Sequence, residues 1–206
     1  METINITNYA IATGLVAIAY LLGSIASAIL ICRLFGLSDP RVGGSGNPGA
    51  TNVMRLHGKK AAILTLAGDV LKGVVPVLLA KAIGSSELII ALCGLAAFFG
   101  HLFPIFFKFK GGKGVATLVG VLFATHWILG LAYIATWGIT ALVFRYSSLS
   151  ALVAATLTPL YSWLILQDIG FTVCHALMAT VLIWRHRSNI KNLIAGTENK
   201  IGKKKA

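Results

Sequence analysis

Long apolar runs almost free of charge recur from one end of this 206-residue chain to the other, and a chain in hydrocarbon must satisfy its own backbone hydrogen bonds. They cover roughly residues 9–32, 61–80, 88–107, 114–144, 149–166 and 169–184. A spanning helix needs about 20 apolar residues, so several passes through a bilayer are expected and a soluble globular fold is excluded. Only 12% of the residues are charged, against about 25% in a soluble domain. The first run is too long for a signal-peptide core and has only Glu2 as a charge ahead of it, so it reads as a permanent helix.

The 18 Lys and Arg against 6 Asp and Glu, net +12, would suggest nucleic acid in a soluble chain. In a membrane chain they mark cytoplasmic loops, and no nucleic-acid partner is expected. Arg33, Arg41, Arg55, Lys59 and Lys60 fall in the first loop, Lys108, Lys110 and Lys113 in another, and a third cluster follows Trp184. All three lie inside if the N-terminus is outside and the 114–144 run makes two passes. That run is well over one span in length and carries Gly130 near its middle, where the break is expected. Halves of about 15 residues rise only ~22 Å each, so local bilayer thinning or a buried position must compensate. The expected fold is an all-α integral membrane protein of about seven transmembrane helices, N-terminus outside and C-terminus cytoplasmic. One polytopic domain is expected over 1–206, with a flexible basic tail over 199–206. A single pass over 114–144 is the alternative.

Cys32, Cys93 and Cys174 are widely spaced, without CxxC spacing or a histidine partner, so neither a disulfide framework nor a metal site is implied. His57, His101, His126 and His175 complete no HExxH or HxxxxD arrangement, and no histidine-carboxylate base is readable from spacing. Ser45 sits in Gly43-Gly44-Ser45-Gly46-Asn47, which is not a GxSxG elbow.

What remains is a surplus of anion-binding groups. In the first loop, 43–55, small residues let the backbone present N–H groups, and Ser45, Asn47, Thr51 and Asn52 add hydrogen-bonding side chains beside Arg55. A plain turn is the competing reading. In the second loop Lys110, Gly111, Gly112, Lys113 and Gly114 run straight into an apolar helix, aiming N–H groups and positive charge at whatever lies in front. The first glycine of a Walker A loop is missing and Gly114, not Ser or Thr, follows Lys113, so ATP hydrolysis is not supported. Lysines facing headgroups are the alternative there. Asp69 and Lys72, three residues apart inside the second run, share a face and suit an intramembrane ion pair or a polar cavity wall. The third segment, Arg185-His186-Arg187-Ser188-Asn189-Ile190-Lys191, suits either phosphate or the interface that ends the last helix.

Gly44-Ser45-Gly46-Asn47-Pro48-Gly49-Ala50-Thr51-Asn52-Val53, then Gly100-His101-Leu102-Phe103-Pro104 leading into Phe109-Lys110-Gly111-Gly112-Lys113-Gly114-Val115-Ala116-Thr117, then Arg185 to Ile190, occur in this order. Together they closely resemble the three motifs of the bacterial acyl-phosphate:glycerol-3-phosphate acyltransferases, the PlsY family. Gly23-Ser24-Ile25, Gly58-Lys59-Lys60, Asp69 to Gly73 and Tyr146 to Leu149 extend the resemblance over nearly the whole chain. It implies seven helices in the bacterial inner membrane and a cytoplasmic-side site. There a fatty acyl group passes from acyl phosphate to the 1-hydroxyl of glycerol 3-phosphate, giving lysophosphatidic acid and inorganic phosphate. It also implies a phosphate-binding role for Gly111 to Gly114, and a substrate site holding Ser45, Asn47, Arg55, Lys113, Ser148, His186 and Asn189. Lys113, His186, Asn189 and Ser148 are the catalytic candidates. Ser45, Asn47, Thr51, Asn52, Arg55, Lys110, Gly111, Gly112, Gly114, Asp69 and Lys72 are the substrate-binding ones. Ala26 stands where many members have proline, altering a helix kink, and Asn192 replaces a common arginine.

The expected partners are acyl phosphate, glycerol 3-phosphate and membrane lipids, with no cofactor, no metal and a monomeric state. An acyl phosphate is already activated, so positioning and charge stabilisation suffice without a strong base. A small-anion transporter is the rival class, and it too needs basic inside loops and an intramembrane ion pair.

Overall fold

The computed structural model describes residues 6–202; Glu2 and Lys203 to Lys205 of the tail lie outside them. Every regular element among the described residues is helical. Two compact units divide the chain at Thr125 and His126.

In the first unit α1 (Ile6–Gly23) and α2 (Ser27–Leu34) form one apolar pass bent by 46°. The bend falls at Ser24, Ile25 and Ala26, so the chain breaks here with alanine at position 26. Ser24 Oγ turns back on the Tyr20 carbonyl at 2.8 Å, offering the backbone a partner that competes with continued helix. After α3 (Ala50–His57), α4 (Lys59–Ala82) rises about 36 Å and spans comfortably. Then α5 (Glu87–Leu102) ends ahead of Pro104, which cannot continue a helix. A short 3-10 turn at Ile105–Phe107 and the glycine loop lead into α6 (Val115–Thr125).

The long run over 114–144 is indeed two helices, α6 and α7 (Trp127–Phe144), but the break lies at His126 and not at Gly130. His126 takes extended backbone, and its Nδ1 accepts the Ile128 N–H at 3.4 Å, capping α7. Gly130 is an ordinary buried position inside α7. The halves are therefore unequal. At 11 residues α6 rises only about 16 Å, far short of a bilayer core. It is covered by protein instead, burying Thr117, Leu118, Gly120, Val121, Leu122 and Ala124, with α4 as its main neighbour. Gly73 and Gly120 make that packing possible: a Cβ on Gly73 would strike the Thr117 carbonyl, and one on Gly120 the Val70 carbonyl. Lys81 closes the far end, its Nζ donating to the Thr125 carbonyl at 2.6 Å. That supplies a partner for an orphan C-terminal group of α6.

In the second unit α7, α8 (Ser147–Leu166) and α9 (Ile169–Arg185) pack in sequence order, and α10 (Arg187–Ile194) bends from α9 by 57°. Leu142 is 83% exposed on α7, with Ile139 and Val143 beside it, a surface suited to lipid rather than water. Among the described residues four helices are long and apolar enough to cross a membrane alone, up to six if each bent pair counts as one, and α6 is a shorter apolar helix. Of the tail expected over 199–206, residues 199–202 are described. Ile201 N–H donates to the Arg145 carbonyl at 2.6 Å, and Lys200 Nζ lies 5.4 Å from the centre of the Tyr146 ring.

Candidate active site

Asn52 organises the first loop. Its side-chain carbonyl accepts the Ser45 N–H at 2.9 Å, while its amide donates to the carbonyls of Pro40 and Gly43 at 2.8 and 3.1 Å. The residue is 1% exposed. All three bonds go to the loop itself, so Asn52 shapes the turn that displays Ser45. Gly44 has φ +61 and sits against the Asn52 carbonyl oxygen, a place with no room for a side chain. Ser45, Thr51 and Arg55 are exposed, and Asn47 is half-buried.

A clasp precedes this turn. The Asp39 carboxylate accepts from Arg41 backbone N–H, Nε and Nη2, the last at 2.7 Å. Hydrogen bonding to the Arg41 side chain holds the Asp39 carboxyl below its usual range. The guanidinium also reaches across to the second loop, Nη1 donating to the Phe107 carbonyl at 3.5 Å.

The second loop folds back on the end of α5. Phe107 and Phe109 N–H both donate to the Pro104 carbonyl at 3.0 Å, and Tyr20 Oη donates to the Phe103 carbonyl at 2.8 Å. Lys108 and Phe109 both hold φ +57, a left-handed conformation costing about 1 kcal/mol or more in each non-glycine residue. Lys110 is exposed and Lys113 half-buried, whereas Gly111, Gly112 and Gly114 are buried. The packing of the loop itself requires all three glycines. A Cβ on Gly111 would meet the His101 and Leu102 carbonyls, one on Gly112 the His101 ring, and one on Gly114 the Phe98 ring. Gly114, at φ +90, turns the chain into α6.

Asp69 and Lys72 do share a face of α4, with Lys72 Nζ 2.8 Å from Asp69 Oδ1. Lys72 also donates to the Ile25 carbonyl at 2.8 Å, inside the break between α1 and α2. Asp69 has a second neighbour, His101 on α5, whose Nδ1 lies 3.5 Å from Oδ1. A separation of 32 residues hides that histidine-carboxylate pair from any spacing rule.

The second unit gathers the third motif around Glu198, a residue with no role assigned from sequence. Ser148 Oγ and Asn189 Nδ2 both donate to Glu198 Oε1, at 2.7 and 2.8 Å. Glu198 is held in turn by its N–H on the Asn192 carbonyl at 3.2 Å. His186 is buried where α9 ends, with Nδ1 2.8 Å from the Leu182 carbonyl. Arg187 stacks over Trp184 at 4.8 Å. A lone glutamate after a helix carries no sequence signal; only the turn at Gly196 brings it back.

A family model described as glycerol-3-phosphate acyltransferase matches residues 13–196, nearly the whole chain. The chain belongs to the glycerol-3-phosphate acyltransferase family. A relative so named from Thioalkalivibrio sulfidiphilus is 56% identical over 94% of this chain and 96% of its own length. One from Methylococcus capsulatus is 52% identical over 93% and 96%. Among solved structures, PlsY, an integral membrane glycerol 3-phosphate acyltransferase, superposes in its glycerol 3-phosphate form with a TM-score of 0.88 at 41% identity, over 93% of this chain and 96% of that one. Its lysophosphatidic acid form gives 0.86 at 40%, over 93% and 95%. The chain is therefore an all-helical integral membrane protein of the acyltransferase fold.

Proposed function

We propose that this glycerol-3-phosphate acyltransferase draws its acyl group from an acyl phosphate. It forms 1-acylglycerol 3-phosphate and inorganic phosphate on the cytoplasmic side of a bacterial inner membrane, from a seven-span fold with its N-terminus outside. The observation that carries this reading is the pair of loops in the first unit. A tightly held glycine turn flanked by Lys110 and Lys113 is joined through Arg41 to a loop that displays Ser45 and Arg55. Amide protons and cations so arranged suit two anionic reactants.

In the proposed division of labour, Gly111 to Gly114 with Lys110 and Lys113 hold the acyl phosphate, and Ser45, Asn47, Thr51 and Arg55 hold glycerol 3-phosphate. Asn52 serves by fixing the Ser45 turn. Ser148, His186 and Asn189 are assigned to the reaction by family resemblance, with Glu198 orienting Ser148 and Asn189. The new ester bond joins the glycerol 1-oxygen to the acyl carbon as the acyl carbon's bond to the phosphate oxygen breaks. The hydroxyl proton passes to the departing phosphate, whose second pKa lies near ~6 in phosphorylated side chains, or to His186. The fold works with acyl phosphate because that anhydride needs orientation and charge neutralisation more than a strong base.

Purified protein given glycerol 3-phosphate and either an acyl phosphate or the acyl-CoA of the same chain length tests the reading. Product from the acyl phosphate alone is expected; equal turnover with acyl-CoA would overturn it.

A further inference from the structure

The glycine loop does not stand by itself. His101 touches it twice: its carbonyl accepts the Gly112 N–H at 3.2 Å, and its ring occupies the place that a Gly112 side chain would need, with Nε2 and Cε1 nearest. The other ring nitrogen faces Asp69, and Asp69 faces Lys72, whose ammonium holds the Ile25 carbonyl at the break in the first span. Asp69, Lys72 and His101 are 3%, 7% and 6% exposed. The backbone of Asp69 joins in as well, its carbonyl accepting from Thr117 Oγ1 in the first turn of α6 at 3.0 Å. The loop is thus tethered on both sides, at Gly112 and at Thr117, to residues that meet at Asp69.

From this geometry we infer that Asp69 and His101 are a positioning pair for the glycine loop, with Lys72 anchoring the pair to the break between α1 and α2. A carboxylate 3.5 Å from Nδ1 favours a proton on that nitrogen and draws the ring toward it by charge. Here that orientation sets the ring against Gly112. With its Nε2 packed on the loop backbone, His101 acts through the loop and not as a base on substrate. A buried ion pair contributes little to stability compared with apolar residues of the same volume, so its use here is to hold one arrangement of the chain. The role deepens the proposed function, since it rests on the loop holding a substrate phosphate.

Three variants in the steady-state assay test the pair. His101→Phe keeps the ring and loses the contact with Asp69; His101→Asn keeps a donor near the position of Nδ1 and clears the space beside Gly112; Gly112→Ala drives a methyl into the ring. The expected effect of His101→Phe is a fall of about tenfold or more in kcat/KM, expressed mainly in the KM of one substrate, with the melting temperature in detergent little changed. Gly112→Ala alone should lose most activity, and Gly112→Ala combined with His101→Asn should regain about tenfold of that loss. The rescue is a readout that general destabilisation would not give. Wild-type constants for both substrates in His101→Phe, or a double variant that folds yet stays as inactive as Gly112→Ala, would overturn the inference. The wild-type protein in the same assay separates this from the parent reading. If it turns over with a different donor, the donor assignment fails and the variants are compared with that donor.

Discussion

At the scale of single residues, the charges most exposed to sequence reading carry the sharpest prediction. Lys113 flanks the glycine turn, and its ammonium is assigned to charge that develops as the anhydride breaks. Lys113→Ala should lower kcat/KM by about 10²-fold or more, as expected for losing one charge-stabilising donor, and near-wild-type kinetics would remove the loop from the mechanism. Residue types were legible here because lysines and glycines in a loop advertise their chemistry. Partners were not. Asn52 reads in sequence as one more polar side chain, whereas in the fold its three bonds all go to its own loop. His101 reads as an isolated histidine until α4 brings Asp69 beside it, and Glu198 becomes visible only when Ser148 and Asn189 converge on it. Each of these depends on contacts between distant parts of the chain, which residue spacing does not encode.

At the scale of elements, Asp39 and Arg41 make the clasp that ties the first loop to the second. Because Arg41 holds the Asp39 carboxyl below its usual range, the clasp stabilises the loop fully above the ordinary carboxylate value of about 4 and is lost as pH falls through the depressed folded value. Asp39→Asn should therefore lower the melting temperature at neutral pH, and its deficit relative to wild type should shrink below about pH 4. A deficit independent of pH would argue against the clasp. The crossing of α4 and α6 is a second test. A Cβ at Gly120 would strike the Val70 carbonyl and crowd the Val74 amide, so Gly120→Val should destabilise by about 1–3 kcal/mol or prevent folding. Thermal unfolding in detergent measures it, and an unchanged melting temperature would contradict the close approach. The placement of the basic loops, with apolar length in support, predicted two helices within 114–144 correctly. Neither located the break, because a one-residue interruption at His126, capped by its own imidazole, leaves the hydropathy almost continuous, while Gly130 looks like a breaker and is not. Lys72 and Lys81, the two basic residues outside the predicted cytoplasmic loops, each hold a backbone carbonyl, at Ile25 and Thr125, where a helix has ended.

At the scale of the whole molecule, the repeated uncharged runs were enough to read an all-helical membrane protein, and the ordered motifs were enough to read its family. The proposed topology places single cysteines at Lys59, Lys108 and Tyr146 on one face of the membrane. Impermeant maleimide applied to sealed right-side-out vesicles should label none of them and should label all three after permeabilisation; labelling of position 108 from outside would refute the proposed sidedness. The most direct test of the chemistry itself is stoichiometry. Detergent-purified protein, with no membrane and no gradient, should release one inorganic phosphate for each 1-acylglycerol 3-phosphate formed, and release none when glycerol 3-phosphate is omitted. Ester formed without phosphate, or phosphate released at the same rate without the glycerol acceptor, would contradict transfer from an acyl phosphate.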